Sequence, residues 1–171
     1  MNSITPGSIA DGADHPLDPR WILLERTRAW FVTAIIAGPA LAGTIMVWAA
    51  TGVPALGFLL LPAWLAAMAL LAWHLRRWPA IAYRFASYRI DDQGLEVRQG
   101  VYWRTITNVP RSRVQHTDVS QGPLERRYGL GTLMVYTAGT EHSQVNLAGL
   151  DYDVARAIRA HLLPGDAGDA V

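Results

Sequence analysis

The sequence predicts two structural regions in one chain. The first is a membrane α-helical hairpin with two transmembrane helices. The second is an α+β, mainly β domain that forms a partly open barrel closed by a C-terminal helix. Three observations support this prediction: residues 29–75 contain no Asp, Glu, Lys or Arg, short β-type runs alternate with turn residues after position 83, and Val154, Ile158 and Leu162 repeat at helical spacing.

The uncharged segment predicts two membrane spans. Charged residues make up 17% of the chain, so an uncharged gap of this length needs a physical cause, and a bilayer supplies one. About 20 helical residues cross a hydrocarbon core of about 30 Å, so the segment is long enough for two helices. We expect these helices at about 30–50 and 53–73, with Thr51-Gly52-Val53-Pro54 as the turn between them.

The segments around the spans set the expected domain boundaries. Residues 1–19 contain several Gly, Pro and Asp residues, and we expect them to form a disordered tail. A helix is expected to begin near Arg20 as an interfacial lead-in, so that the membrane region covers residues 20–78. The following domain is expected at 83–163, and residues 164–171 are expected to be a tail.

Arginines near the span ends predict the orientation in the membrane. Seven lie just before the first span or just after the second, and none lies in the connector. Cationic residues favour the cytoplasmic side. We therefore expect a multi-pass protein of the cell (inner or plasma) membrane whose N- and C-termini are both cytoplasmic. The seven residues are Arg20, Arg26, Arg28, Arg76, Arg77, Arg84 and Arg89.

Small residues recur at four-residue spacing in both spans, at Ala34, Gly38 and Ala42 and again at Ala63 and Ala67. Small side chains let helices approach closely, so we expect these stripes to pack the two helices of the hairpin together. Docking of another membrane protein and a transport pathway are the alternatives. Transport has the least support, because the spans contain no ionisable side chain that could bind or relay an ion.

The segment after the hairpin predicts six strands and one helix. Asp91-Asp92-Gln93-Gly94 forms the turn of a first β-hairpin, and Asp151 is expected to cap the final helix. The strands are expected at residues 85–90, 95–98, 104–109, 114–120, 132–137 and 143–147.

Several stretches of this segment carry a family resemblance. They are Tyr88-Arg89-Ile90, Val109-Pro110 with Val114-Gln115, residues 122–139 (GPLERRYGLGTLMVYTAG) and Leu147-Ala148-Gly149-Leu150. In these stretches the chain resembles the YdbS-like bacterial membrane proteins that carry a pleckstrin-homology-like (PH-like) domain. The resemblance implies a PH-like fold on a membrane anchor, commonly acting beside a larger, multi-span protein with repeated domains of the same kind. It implies no catalytic residue.

The longest of these stretches contains residues typical of turns. Gly122 and Pro123 suit a turn, while Gly129 and Gly131 suit a positive φ or a close approach of two backbones. We therefore expect these four residues to shape the loop before a strand.

Four arginines are candidates for a lipid-binding or partner-binding face: Arg111, Arg113, Arg126 and Arg127. They are either solvated surface residues or a basic face toward anionic headgroups, where each cation contributes about 1 kcal/mol. A specific phosphoinositide site is not expected. By the resemblance, PH domains that bind phosphoinositides typically carry basic residues in the turn that is Asp91-Asp92 here.

Composition excludes several kinds of chemistry. The chain has no Cys and no Lys, which excludes thiolate metal ligands, cysteine nucleophiles and Schiff-base lysines. The five histidines have no metal-ligand spacing, and the net charge of +1 provides no general attraction to nucleic acid. We expect a non-enzyme with no cofactor, no metal site and no nucleic-acid partner.

Together these observations predict a membrane-anchored PH-like interaction or scaffold module, acting as a subunit beside a larger membrane protein with similar domains. The alternatives are an anionic-lipid-sensing domain tethered to the inner membrane and an accessory subunit of a transport or export system. The expected partners are membrane lipids and another multi-span membrane protein with PH-like domains. A homo-oligomer is a further alternative.

Overall fold

The computed structural model describes residues 10–138 and 144–162. In chain order its elements are β1 (Asp14–Pro16), α1 (Arg20–Thr51), α2 (Pro54–Arg84), β2 (Ser87–Asp91), β3 (Gly94–Gln99), β4 (Thr105–Pro110), a single 3₁₀ turn (Arg111–Arg113), β5 (Val114–Ser120), α3 (Pro123–Tyr128), β6 (Leu130–Thr137), β7 (Gln144–Asp151) and α4 (Tyr152–Leu162).

The chain divides into two compact units. Residues Ile22–Ala80 form a helical unit, and Met1–Trp21 together with Ile81–Val171 form a β domain. The helical unit therefore interrupts the β domain in sequence. The chain leaves the domain after Trp21 and returns to it at Ile81.

The helical unit is a hairpin of two long apolar helices, and both are long and apolar enough to cross a membrane. Thr33 and Thr44 donate their hydroxyls to the carbonyls of Ala29 and Ala40, each at 2.8 Å. These bonds satisfy polar groups within the helix itself, as an apolar environment requires. The two helices predicted from the uncharged segment are confirmed, and α2 extends beyond the expected span to Arg84.

The small-residue stripes do not form the packing face of the hairpin, so that prediction is wrong. Ala34, Gly38 and Ala42 in α1, and Ala63 and Ala67 in α2, are all exposed. The less exposed positions follow neighbouring stripes instead: Thr33, Ala37, Leu41 and Thr44 in α1, and Leu60, Trp64, Met68 and Leu75 in α2. Small residues occur on more than one face of α1, so their spacing alone does not identify the face turned toward α2.

The β domain contains two antiparallel sheets. One has the order β1-β2-β3-β4 and the other the order β5-β6-β7. Their apolar faces enclose a core that includes Ile90, Leu95, Leu133 and Val135, and α4 adds Ala155, Ile158 and Leu162 to it. All six predicted strands and the final helix are present, and Asp151 caps α4 by accepting the backbone N–H of Asp153 at 2.9 Å.

The prediction of a disordered tail is wrong for its described part. Asp14–Pro16 forms β1, which pairs antiparallel with β2, and Leu17 is buried in the core. Three polar or proline residues lack the apolar alternation that indicates a strand, which is why the sequence pattern missed it. Residues 1–9 and the expected tail at 164–171 lie outside the described residues.

Candidate functional site

The two ends of the β domain differ in their relation to the hairpin. At the near end, defined as residues 18–21 and 81–87, the chain passes between the two units. The far end holds the Asp91–Gly94 turn and the Arg111–Arg113 turn, where the backbone N–H of Arg111 donates to the carbonyl of Gln93 at 2.7 Å. Each strand of both sheets except the short β1 runs between these two ends.

An arginine ties the near end together. Arg20 donates to both carboxylate oxygens of Asp18, at 2.9 and 2.7 Å, and its Nη2 also donates to Asp151 at 2.6 Å. Asp18 precedes α1, and Asp151 is the last residue of β7. The Arg20 guanidinium thereby holds the pKa of Asp18 below its ordinary value, because it stabilises the ionised carboxylate. Arg20 thus links the start of α1 to the second sheet.

Two glycines allow close packing around Trp21 and Arg20. Gly149 has φ +81°, and a Cβ there would lie 2.5 Å from Cδ1 of Trp21. Gly129 has φ +68°, and a Cβ there would lie 3.0 Å from Nη1 of Arg20. Both conformations disfavour any side chain. We call Asp18, Arg20, Trp21, Gly149 and Asp151 the near-end clamp.

The motif at residues 122–131 forms a short helix and not a simple turn, which corrects the expectation for Gly122 and Pro123. Gly122 precedes α3 and Pro123 is its first residue. Gly129 has the predicted positive φ, whereas Gly131 allows close approach, since a Cβ there would lie 3.1 Å from Tyr152. The motif therefore builds the corner next to the near-end clamp.

Glu125 is the structural centre of this motif, and the sequence analysis did not identify it. It is buried, accepts the backbone N–H of Gly122 at 2.7 Å and accepts the hydroxyl of Thr132 at 3.2 Å. It thereby joins the beginning of α3 to β6. The signal that could have found it is a glutamate at the third helical position after the N-cap residue Gly122, where a capping-box side chain accepts the backbone N–H of the N-cap.

The four candidate arginines do not form one compact cluster. Arg111 and Arg113 precede β5 at the far end, whereas Arg126 and Arg127 follow it in α3 at the near end. A strand of seven residues separates the pairs by about 20 Å. Arg113, Arg126 and Arg127 are exposed and Arg111 is half-buried.

A network of ion pairs fixes β1 to the first sheet. Asp14 accepts from Arg89 at 2.8 Å and from Arg98 at 2.7 Å, and Arg98 also donates to Glu96 at 2.6 Å. The hydrogen bond from Arg89 is the main reason why the pKa of Asp14 lies below its ordinary value. These side chains connect β1 to its neighbouring strands β2 and β3.

The histidines within residues 10–138 and 144–162 do not form a cluster. His116 lies 2.9 Å from Asp118 on β5, and His15 pairs with Asp11 on the N-terminal segment. Within residues 10–138 and 144–162, no group of three or more His, Cys, Asp or Glu residues could hold a metal ion.

The fold defines a class of protein: a helical hairpin suited to a membrane, inserted into a small domain of antiparallel sheets with a C-terminal helix. This arrangement is consistent with a PH-like domain. The Bacterial PH domain family matches residues 20–165, so the chain belongs to that family.

One relative matches part of the chain. Over 65 residues, 38% of this chain, the sequence is 37% identical to the transmembrane protein YdbS of Bacillus subtilis (strain 168). The match covers 41% of that relative's length, so the chain matches less than half of it. No solved structure shows a significant match to the chain. The chain is therefore a bacterial PH domain protein with two helices long and apolar enough to cross a membrane, and part of it is similar to YdbS.

Proposed function

We propose that this chain is a membrane-anchored interaction module that acts as a subunit beside a larger, multi-span membrane protein with PH-like domains. The observation that carries the proposal is the open edge of β4. Among the described residues β4 pairs only with β3, and it borders a cleft of about 250 Å³ that also includes Arg113, Thr137 and Val145. A free strand edge beside a cleft can accept an added strand from a partner.

The hairpin offers a second surface for the same partner. Ala34, Gly38 and Ala42 are exposed, and a Cβ at Gly38 would have no atom within 4 Å. This stripe is not used for packing within the chain. In a membrane, small residues at this spacing let a second helix approach closely.

Site-specific photocrosslinking in native membranes tests the proposal. A photoreactive residue replaces Gly38 or, as a matched control, Ile36, which lies about 200° around α1. A third position, Asn108, probes the exposed edge of β4. We expect Gly38 and Asn108, but not Ile36, to yield a stoichiometric adduct with a larger membrane protein that carries PH-like domains. Adducts only with lipid or with a second copy of this chain would refute the proposed partner.

We also propose that the domain and both termini are cytoplasmic in the cell (inner or plasma) membrane. The pairing of β1 with β2 puts both outer ends of the hairpin on the same side of any membrane that it spans, and the seven arginines favour the cytoplasm. Because the chain has no Cys, single cysteines at Gly52 and Asp92 can report the orientation. We expect a membrane-impermeant maleimide to label position 52 in intact cells and position 92 only after lysis. The reverse pattern would invert the topology.

A second candidate function, sensing of anionic lipid, is favoured by one arginine pair. Arg126 and Arg127 are exposed and lie close to the near-end clamp, whereas Arg111 and Arg113 lie at the other end of β5. The full chain should therefore retain anionic lipid after extraction from mixed liposomes, and Ala at both Arg126 and Arg127 should lower that affinity by about tenfold or more. Ala at both Arg111 and Arg113 is the control. Equal retention by both double variants would exclude this candidate.

A further inference from the structure

The loop between β3 and β4 exposes two large aromatic side chains. Tyr102 is 80% exposed and Trp103 is 88% exposed, the highest value among the large apolar residues of the described chain. Exposed Trp at a loop tip stabilises no core, so its position calls for an external partner. We call residues 100–104 the aromatic loop.

The aromatic loop lies at the near end of the domain. Gln99 on β3 and Thr105 on β4 form the last residue pair before the loop. The preceding residue of β3, Arg98, lies opposite Ile106 of β4 on one side and opposite Ser87 of β2 on the other. Ser87 begins β2 only three residues after the end of α2 at Arg84. The loop is therefore adjacent to the point where the chain arrives from the hairpin.

Cationic side chains accompany the aromatic ones. Arg84 and Arg104 line a cavity of about 340 Å³ together with Phe85, and the guanidinium of Arg104 lies 5.4 Å from the centre of the Phe85 ring. Neither arginine has a carboxylate within ion-pairing distance among the described residues. Phosphate groups of a lipid surface would supply the missing opposite charge.

We propose that the aromatic loop inserts Tyr102 and Trp103 into the headgroup layer of the same bilayer that the hairpin spans, with Arg84 and Arg104 against lipid phosphates. Two arguments select a bilayer over a protein. Tyr and Trp prefer the membrane–water interface because each joins an apolar ring to a polar group. Arg84 also lies only six positions after Trp78, where the expected membrane region ends, and six positions extend no further than about 22 Å, so the chain length allows the loop to reach the membrane. This contact does not depend on the partner proposed above.

Nitroxide labels in the full chain test the proposal. A single cysteine at Val101 leaves both aromatic residues in place, and Asp92→Cys in the far-end turn is the matched control. In phosphatidylcholine liposomes containing phosphatidylglycerol, we expect the label at 101 to be several-fold less accessible to an aqueous nickel quencher and more accessible to oxygen than the label at 92. Equal aqueous accessibility at the two positions would overturn the proposal.

Two further arms identify what covers the loop. Trp103→Ser and Tyr102→Ser together should return the label at 101 to water without lowering the thermal stability of the chain, since both side chains are largely exposed. Protection of the label that persists in detergent, at a dilution that leaves the chain monomeric, would indicate a contact within the chain and would also overturn the proposal. Ala at both Arg84 and Arg104 should reduce insertion more in phosphatidylglycerol-containing liposomes than in neutral ones.

Discussion

The near and far ends of the β domain carry similar residues but have different relations to the hairpin. Each end has a pair of arginines separated by no more than one residue, Arg126 and Arg127 at the near end and Arg111 and Arg113 at the far end. Only the near end holds the clamp around Arg20 and the aromatic loop. The difference predicts that the two arginine pairs have different contacts, because only one of them lies at the end of the domain where the chain passes to and from the hairpin.

The largest expected effect is at Gly149 in the near-end clamp. Gly149→Val places a branched side chain at positive φ and against Trp21, so it should destabilise the domain by about 3 kcal/mol. It should also accelerate tryptic cleavage after Arg20, because the N-terminal segment loses its packing. Thermal unfolding and limited proteolysis of the full chain in detergent micelles measure both effects. Ala148→Val on the same strand is the control; if it unfolds the domain equally, the clamp has no special role.

Glu125 should give the next largest effect. Glu125→Ala leaves the N–H of Gly122 and the hydroxyl of Thr132 without their acceptor, at a cost of about 2 kcal/mol. Glu125→Gln keeps one oxygen to accept the N–H of Gly122, and its amide nitrogen can donate to the hydroxyl oxygen of Thr132, so it should recover most of that loss. Urea unfolding of the full chain in micelles measures both variants, with exposed Arg126→Ala as the neutral reference. A Gln variant as unstable as the Ala variant would show that charge, and not the hydrogen bonds, is the requirement.

A far-end substitution sharpens the comparison. Oδ1 of Asp91 accepts the backbone N–H groups of Gln93 and Gly94, both at 2.9 Å. Asp91→Ala should therefore destabilise the turn by about 1 kcal/mol. Tryptic cleavage after Arg20 should remain as slow as in the unsubstituted chain at temperatures well below unfolding. Faster cleavage would mean that the two ends open together.

The smallest expected loss of stability comes from protonation of Asp18 in the near-end clamp at low pH. The pKa of Asp18 is lowered in the folded chain, mainly by its hydrogen bond from Arg20. The associated stability is present above the ordinary Asp pKa of about 4 and is lost as pH falls through the lower folded value. For a partly exposed pair this contribution is about 1 kcal/mol or less. Melting temperatures between pH 6 and pH 3 should fall less for Asp18→Asn than for the unsubstituted chain, and an identical fall would contradict this assignment.

The hairpin and most of the strands could be predicted because their signals are local. A long uncharged segment indicates helices in an apolar environment. An alternating pattern such as Leu95-Glu96-Val97-Arg98 indicates a strand with one buried face. The strand β1 could not be predicted, because Asp14-His15-Pro16 is held by pairing with β2 and by Arg89 and Arg98, all distant in sequence.

The candidate site was only partly predictable for a similar reason. The sequence identifies four candidate arginines. Only the structure shows that β5 separates them into two pairs at opposite ends of the domain. The glycines in residues 122–131 suggested a turn, yet Pro123 and Glu125 are also compatible with the first turn of a helix. The start of this helix is stabilised because the buried Glu125 accepts the backbone N–H of Gly122. The Trp21 contact with Gly149 had no local signal at all.

The pairing of β1 with β2 has a consequence for how the protein is made. Asp14 and Arg89 are 75 positions apart in the chain, so the first strand leaves the ribosome long before its partner exists. Closing so large a loop in a flexible chain carries an entropic cost that grows with its length. In the membrane topology proposed above, the inserted hairpin returns the chain to the side from which it started and replaces that loop with two helices and a short turn. With the membrane topology proposed above, membrane integration becomes a folding step for the β domain, and translation must proceed past both helices before the first strand finds its partner.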